Sequence, residues 1–340
     1  MNLLLIGFGT VGQGLAELLI EKRESLSRDY GSDFKVVGIA DMLKGTVCDS
    51  KGIDLRQALD AVRSKGVLSS RTEEFRDENA LALIQTVRAD VMLEATYTDI
   101  RTAEPATTHI RAALERGMHV VTSNKGPLAL HYRELHELAR KQKREFLFEG
   151  TVMSGTPLLN LIRETLAGAS IREIKGILNG TTNYILTRME EGLSYEEALK
   201  GAQVLGYAEA VPDADVLGWD ALAKATILAN VVFGADKKPF DSPCEGIVKI
   251  TAAEIAAAKK RGKRYKLIGR IWREGDKVQA SVSPLPIDLS HPLAGVMGAT
   301  NAVTITTDTV GEITVIGPGA GRRETGYSML IDLIHIARRG

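Results

Sequence analysis

The first half of the chain alternates short, wholly apolar runs with longer amphipathic ones. Leu3 to Ile6 is apolar at every position, the pattern of a strand buried on both faces. A helical stretch follows from about Gly12 to Ser27, with Leu15, Leu18 and Leu19 on one side. Lys35 to Ala40, ending at Asp41, reads as a second strand, and Asp90 to Ala95 and His119 to Thr122 as two more. Between those two lies a helix with Pro105 near its start and Leu114 on its apolar face, and Phe146 to Glu149 reads as a fifth strand. Strands spaced by helices predict a parallel sheet with right-handed crossovers, and so an α/β domain over residues 1–149.

After Gly150 the pattern changes. Helical stretches at about 158–166, 182–190, 195–205 and 217–233 interleave with β-rich runs at 171–178, 267–273, 277–282 and 302–307. This predicts an α+β domain over 150–310, with a separate segment at 311–340. In that segment Tyr327, Leu330, Ile331 and Ile334 stand at helical spacing within the stretch from Thr325 to Arg338.

Composition narrows the classes. A length of 340 residues exceeds what one hydrophobic core serves, and 44% hydrophobic with 25% charged residues excludes a disordered or fibrous chain. The 43 Lys and Arg balance the 43 Asp and Glu, so the footprint of a nucleic-acid binder is missing and no nucleic-acid partner is expected. The apolar run at Leu3 has no basic residue before it and ends at Gly7, unlike a signal peptide. Ala225 to Ala235 is too short to span a bilayer. Only Cys48 and Cys244 are present, too few for a disulfide framework, so a reducing, cytoplasmic setting away from membranes is expected.

Several groups carry candidate chemistry. Gly7-Phe8-Gly9-Thr10-Val11-Gly12 fits G-x-G-x-x-G between a buried strand and a helix, the Rossmann-type dinucleotide fingerprint. Its first glycine permits a tight turn, its second lets backbone approach a pyrophosphate, and its third lets helix and strand pack closely. Asp41, ending the second strand, either holds the ribose hydroxyls of NAD or is a solvent-facing loop residue, and nearby Lys44 could instead pair with the 2′-phosphate of NADP. Lys125 lies in Thr122-Ser123-Asn124-Lys125-Gly126-Pro127, at the carboxyl end of the sheet where such folds bind ligands. Glu209, Asp213, Asp215, Asp220 and Lys224 form the densest cluster. Asp220 and Lys224, four apart on a helix, are either an exposed ion pair or part of a site for an amino-acid substrate, whose ammonium needs carboxylates. Neither cysteine sits where an acylating nucleophile would, and His131 and His136, five apart on a helix, lack metal-ligand spacing. Hydride transfer with a lysine as acid/base fits what remains.

These residues resemble the homoserine dehydrogenase family. The resemblance rests on the glycine loop, Ser123-Asn124-Lys125, Glu149 to Pro157 with Gly180-Thr181-Thr182-Asn183-Tyr184, Gly206-Tyr207-Ala208-Glu209 to Lys224, and Gly317-Pro318-Gly319-Ala320-Gly321. It implies an α/β fold with a Rossmann-type domain, an α+β catalytic domain that forms a homodimer through its sheet, and a C-terminal segment, 311–340, packing back on the first domain. It implies NADP or NAD as cofactor, and reversible reduction of L-aspartate 4-semialdehyde to L-homoserine in threonine, methionine and isoleucine biosynthesis. Carried over by position, Lys125 and Lys224 are the active-site lysines, with Lys224 the proton donor. Glu209, Asp215, Asp220, Thr181 and Lys125 contact the substrate. Gly7 to Gly12, Asp41, Thr96, Ser123, Lys125, Gly206 and Gly321 contact the cofactor. A structural sodium ion would take backbone carbonyls of Glu149, Val152, Ser154 and Thr156. Two departures stand out: Val211-Pro212 replaces the usual Asp-Pro, and Met153-Ser154-Gly155 replaces the usual glycine cluster. No regulatory ACT domain is expected after the closing helix. The competing readings are another NAD(P)-dependent amino-acid oxidoreductase of the same architecture, and a dinucleotide-sensing regulator without turnover.

Overall fold

The computed structural model describes residues 1–68, 74–75 and 79–339, and divides into two compact units: Met1–Gly155 with Gly321–Gly340, and Thr156–Ala320. The first unit is built on seven strands: β1 (Asn2–Ile6), β2 (Lys35–Asp41), β3 (Gly45–Cys48), β4 (Glu74–Phe75), β5 (Val91–Glu94), β6 (His119–Thr122) and β7 (Phe146–Leu147). Their order is β4-β3-β2-β1-β5-β6-β7. From β2 to β7 neighbours run parallel, whereas β3 and β4 are antiparallel, so the sheet is not parallel throughout. The reversal follows from the turn after β2, where Asp41 Oδ1 accepts the Leu43 and Lys44 N–H groups and folds the chain straight back.

Burial on both faces explains the apolar strands. Leu3, Leu5 and Ile39 pack with Leu15, Leu18 and Leu19 of the helix Thr10–Glu21 and with Met329, Leu330 and Leu333 of the closing helix Arg322–Arg339. The helical stretch after the glycine loop is two helices, Thr10–Glu21 and Arg23–Tyr30. The break at Lys22 (φ −99°, ψ 7°) redirects the second, and its Leu26 joins the same core. β7 stops at Leu147, and Glu149 begins a 3-10 turn, its N–H donating to Asp332 Oδ2 at 2.8 Å.

The closing helix crosses the first at backbone distance. A Cβ on Gly14 would lie 2.1 Å from the Arg322 carbonyl oxygen, and one on Gly326 would lie 2.7 Å from the Leu15 nitrogen, so both positions require glycine. Arg322 also pairs with Glu17 at 2.6 Å.

In the second unit β8 (Ile171–Ile177), β9 (Lys263–Glu274), β10 (Lys277–Asp288), β11 (Thr300–Thr307) and β12 (Glu312–Pro318) form an antiparallel sheet in the order β10-β9-β8-β11-β12. The segment 311–340 therefore does not pack back as one piece: Glu312–Pro318 pairs with β11 as an edge strand, and only the part from Gly321 belongs to the first unit. The helix expected at 158–166 is a short π-helical turn, Leu161–Thr165. Among the described residues no helix is long and apolar enough to cross a membrane.

Candidate active site

In the first unit the glycine loop meets two steric demands and leaves one open position. Gly7 has φ +96°, and its Cβ would strike Ala95 O at 2.4 Å, so only glycine can make the turn leaving β1. A Cβ on Gly12 would lie 2.3 Å from Gly7 O, which presses helix against loop. Gly9 has nothing within 4 Å of its Cβ position. As N-cap of the helix Thr10–Glu21 it has no side chain to cap the first-turn N–H groups, which are left for an anion. This cradle fits the pyrophosphate of a dinucleotide. The Phe8 ring is buried in the core, so Phe8 can meet a ligand only through its backbone; Thr10 is exposed and Val11 half-buried.

Asp41 Oδ2 accepts the Phe8 N–H at 2.8 Å, tying the glycine loop to the end of β2, and Lys44 Nζ lies 3.4 Å from Oδ1. Burial pushes the Asp41 carboxyl up, but the Phe8, Leu43 and Lys44 N–H groups and the Lys44 ammonium outweigh it, and the net direction is down. Asp41 is thus an ionised brace of the loop. Thr96 and Ser123 sit on the loops leaving β5 and β6, both tied to Glu94: the Thr96 N–H donates to Glu94 Oε1 at 3.0 Å and the Ser123 N–H to Glu94 O at 3.3 Å. Lys125 opens the helix Lys125–Gln142, with Asn124 as N-cap accepting the Gly126 N–H. Gly321 has φ +149° and lies against the Glu324 side chain.

Between Val152 and Thr156 the chain turns through Met153 (φ +52°) and Gly155 (φ +91°). Met153 adopts a left-handed backbone without being glycine, at a cost of about 1–2 kcal/mol. Glu149, Val152, Ser154 and Thr156 are all buried, and carbonyl oxygens are the donor type a hard cation takes. Glu149, Val152 and Ser154 belong to the first unit and Thr156 to the second.

In the second unit Asn179 organises the charged cluster. It caps the helix Gly180–Glu190 through Oδ1, which accepts the Thr182 N–H, while Nδ2 donates to Asp215 Oδ1 at 2.6 Å and to Asp220 Oδ2 at 2.9 Å. Asp220, in the first turn of the helix Trp219–Phe233, also accepts Lys224 Nζ at 2.7 Å. Lys224 Nζ donates at 2.7 Å to Leu178 O as well, and the residue is only 7% exposed. Asp220 and Lys224 are therefore a mostly buried pair, not the surface one that their spacing also allowed. Asp215 has its carboxyl raised by burial and then by the neighbouring Asp220, against the opposing pull of Asn179, Lys224 and Thr181. Thr181 Oγ1 donates to Tyr207 O at 2.6 Å, and Gly206 (φ +74°) turns the chain with open space at its Cβ. Glu209 and Asp213 are exposed.

Asn179, Asn124 and Glu94 escaped the sequence reading. Only the caps had a signal there, an Asn just before a helix start. Cys48 is buried in β3, and burial pushes the Cys244 thiol up to about 11, so neither is a ready thiolate.

Two family models cover nearly all of the chain: the homoserine dehydrogenase NAD-binding domain matches residues 7–149, and homoserine dehydrogenase matches 157–334. The NAD(+)-dependent homoserine dehydrogenase of Pseudomonas canavaninivorans is 45% identical, over 98% of this chain and 96% of that one. The homoserine dehydrogenase of Methanocaldococcus jannaschii is 43% identical, over 99% and 98%. A hyperthermophilic archaeal homoserine dehydrogenase solved in complex with NADPH superposes with a TM-score of 0.85 at 33% identity, covering 100% of this chain and 98% of that one. The chain belongs to the homoserine dehydrogenase family of NAD(P)-dependent oxidoreductases.

Proposed function

We propose that this protein interconverts L-aspartate 4-semialdehyde and L-homoserine, with Lys224 moving the proton at the reacting oxygen. The observation that carries the reading is the buried Lys224 ammonium, held by Leu178 O and Asp220. An ammonium has three donors; two are committed here, which leaves one for the substrate oxygen. A bound NAD(P) supplies or accepts the hydride. The Gly7–Gly12 loop and the uncapped helix behind it hold the diphosphate, and Thr96, Ser123, Lys125, Gly206 and Gly321 complete the cofactor contacts. Asp41, ionised and already paired with Lys44, favours ribose hydroxyls over a 2′-phosphate, so NAD is the preferred cofactor.

Asp215 and Glu209 receive the substrate ammonium, Thr181 lines the same pocket, and Asp220 orients Lys224. Lys125 carries positive charge toward the substrate's oxygens. A sodium ion held by the carbonyls of Glu149, Val152, Ser154 and Thr156 has a structural role only. The chain works as a cytoplasmic homodimer. Supporting the dimer, the helix Trp219–Phe233 covers one face of the second sheet, while the other presents Arg270 stacked on Trp272, and Ile316 at 54% exposure.

The test is absorbance at the NAD(P)H band with L-homoserine and each cofactor. Homoserine-dependent reduction, faster with NAD, is expected. Lys224→Met lowers kcat by about 10²–10⁴-fold, the usual contribution of a positioned acid/base. Dinucleotide binding without homoserine turnover would move the substrate to another amino-acid alcohol.

A further inference from the structure

Glu94 ends β5 with no solvent exposure, and among the described residues no ion pair joins it to a Lys, Arg or His. Its contacts are all neutral. Oε1 accepts the Thr96 N–H at 3.0 Å and is also bonded to Thr96 Oγ1. Oε2 lies 3.0 Å from Thr122 Oγ1, and the Glu94 carbonyl oxygen lies 3.1 Å from that same hydroxyl. Thr122 Oγ1 additionally accepts the Asn124 N–H at 3.0 Å.

Full burial away from any cation favours the neutral state of Glu94, and its partners at Thr122 accommodate the proton. A threonine hydroxyl has one hydrogen and two lone pairs. If Glu94 were ionised, that single hydrogen would go to Oε2, and Glu94 O would keep only the Ser123 N–H at 3.3 Å. If Oε2 carries a proton, it donates to Thr122 Oγ1, the hydroxyl hydrogen goes to Glu94 O, and the second lone pair takes Asn124 N–H. Every group in the set is then satisfied. Burial also pushes the Glu94 carboxyl up, in the same direction.

The set joins two loops. Thr96 and Tyr97 leave β5, while Ser123 and Asn124 leave β6, and Asn124 Nδ2 donates to Tyr97 O at 2.9 Å while Oδ1 caps the helix that starts at Lys125. We propose that Glu94, as the protonated acid, is a positioning residue that latches these loops together and so presents Thr96, Ser123 and Lys125 to the dinucleotide. This rests on the reading that those three residues meet the cofactor. A neutral latch fixes the loops without placing a negative charge there, and so adds no preference of its own between the oxidised and reduced nicotinamide.

The test compares Glu94→Gln, an isostere of the neutral acid, with Glu94→Leu and with Thr122→Val. Dissociation constants for NADH are read by fluorescence titration, which needs no substrate, so a wrong substrate would not disguise the result. Glu94→Gln should bind within a few-fold of the parent protein, whereas Glu94→Leu and Thr122→Val should weaken binding by about tenfold, the scale of one or two lost buried hydrogen bonds. The cofactor-free protein should also show an infrared C=O band of a protonated carboxyl that is missing in Glu94→Gln. If Glu94→Leu does not fold, Thr122→Val and the infrared band still decide. Loss of binding in Glu94→Gln equal to that in Thr122→Val, or no such band, would overturn the proposal.

Discussion

Gly9 and Gly12 stand three residues apart in one loop and answer to different neighbours. Gly12 is held by its own chain, since a Cβ there meets Gly7 O at 2.3 Å. Gly12→Ala should therefore destabilise the cofactor-free protein by about 1–3 kcal/mol, visible in thermal unfolding. Gly9 has open space, so Gly9→Ala should leave the unfolding midpoint of the free protein in place and weaken only the dinucleotide, by tenfold or more in fluorescence titration (roughly the 1.4 kcal/mol of one obstructed contact). Asp215 gives a pH signature. The proposed role has the Asp215 carboxylate bind the substrate ammonium, and Asp215 titrates above its ordinary range, so the protonated fraction grows as pH falls through that raised value. The KM for homoserine should rise on the acid side by up to about tenfold per pH unit, one proton's worth, and Asp215→Asn should flatten that limb while raising KM throughout. An acid limb unchanged in Asp215→Asn would assign it to another group.

Among elements, the closing helix shows how backbone contact and surface charge differ in weight. Its approach to the helix Thr10–Glu21 depends on Gly14 and Gly326 having no Cβ, and Met329, Leu330 and Leu333 follow it into the core. Gly326→Val should lift the helix and cost about 2 kcal/mol or more, with faster amide exchange along 322–339. Glu17→Ala removes only a partly exposed ion pair with Arg322 and should cost under about 1 kcal/mol. Equal losses in the two variants would show that the ion pair, not the close crossing, holds the helix. Asn179 joins a cap to a site in one residue, since the same amide starts the helix Gly180–Glu190 and holds Asp215 and Asp220.

For the whole molecule, the proposed dimer would use the exposed sheet face of the second unit. Ile316→Arg should shift the mass measured by light scattering from dimer toward monomer while leaving the unfolding profile of the first unit in place. The strands β1, β2, β5 and β6 could be read directly because burial on both faces demands unbroken apolar runs. The glycine loop could be read because Gly7 and Gly12 answer local steric demands, and Asp220 with Lys224 because helix periodicity alone puts them on one face. Local rules could not reach β3, which exists because Asp41 turns the chain, nor β12, whose alternating residues declare a strand only once β11 is there to pair with them. They could not say whether the Asp220–Lys224 pair is wet or buried, since that depends on Leu178 and Asn179, more than forty residues upstream of Lys224. Nor could they bring Glu94 to Thr122, 28 residues apart, which meet because β5 and β6 are neighbours in the sheet. Periodicity and backbone sterics are properties of a short stretch of chain and were determined by the sequence itself. Partner identity and burial are properties of what the fold brings alongside, and only the tertiary structure decided them.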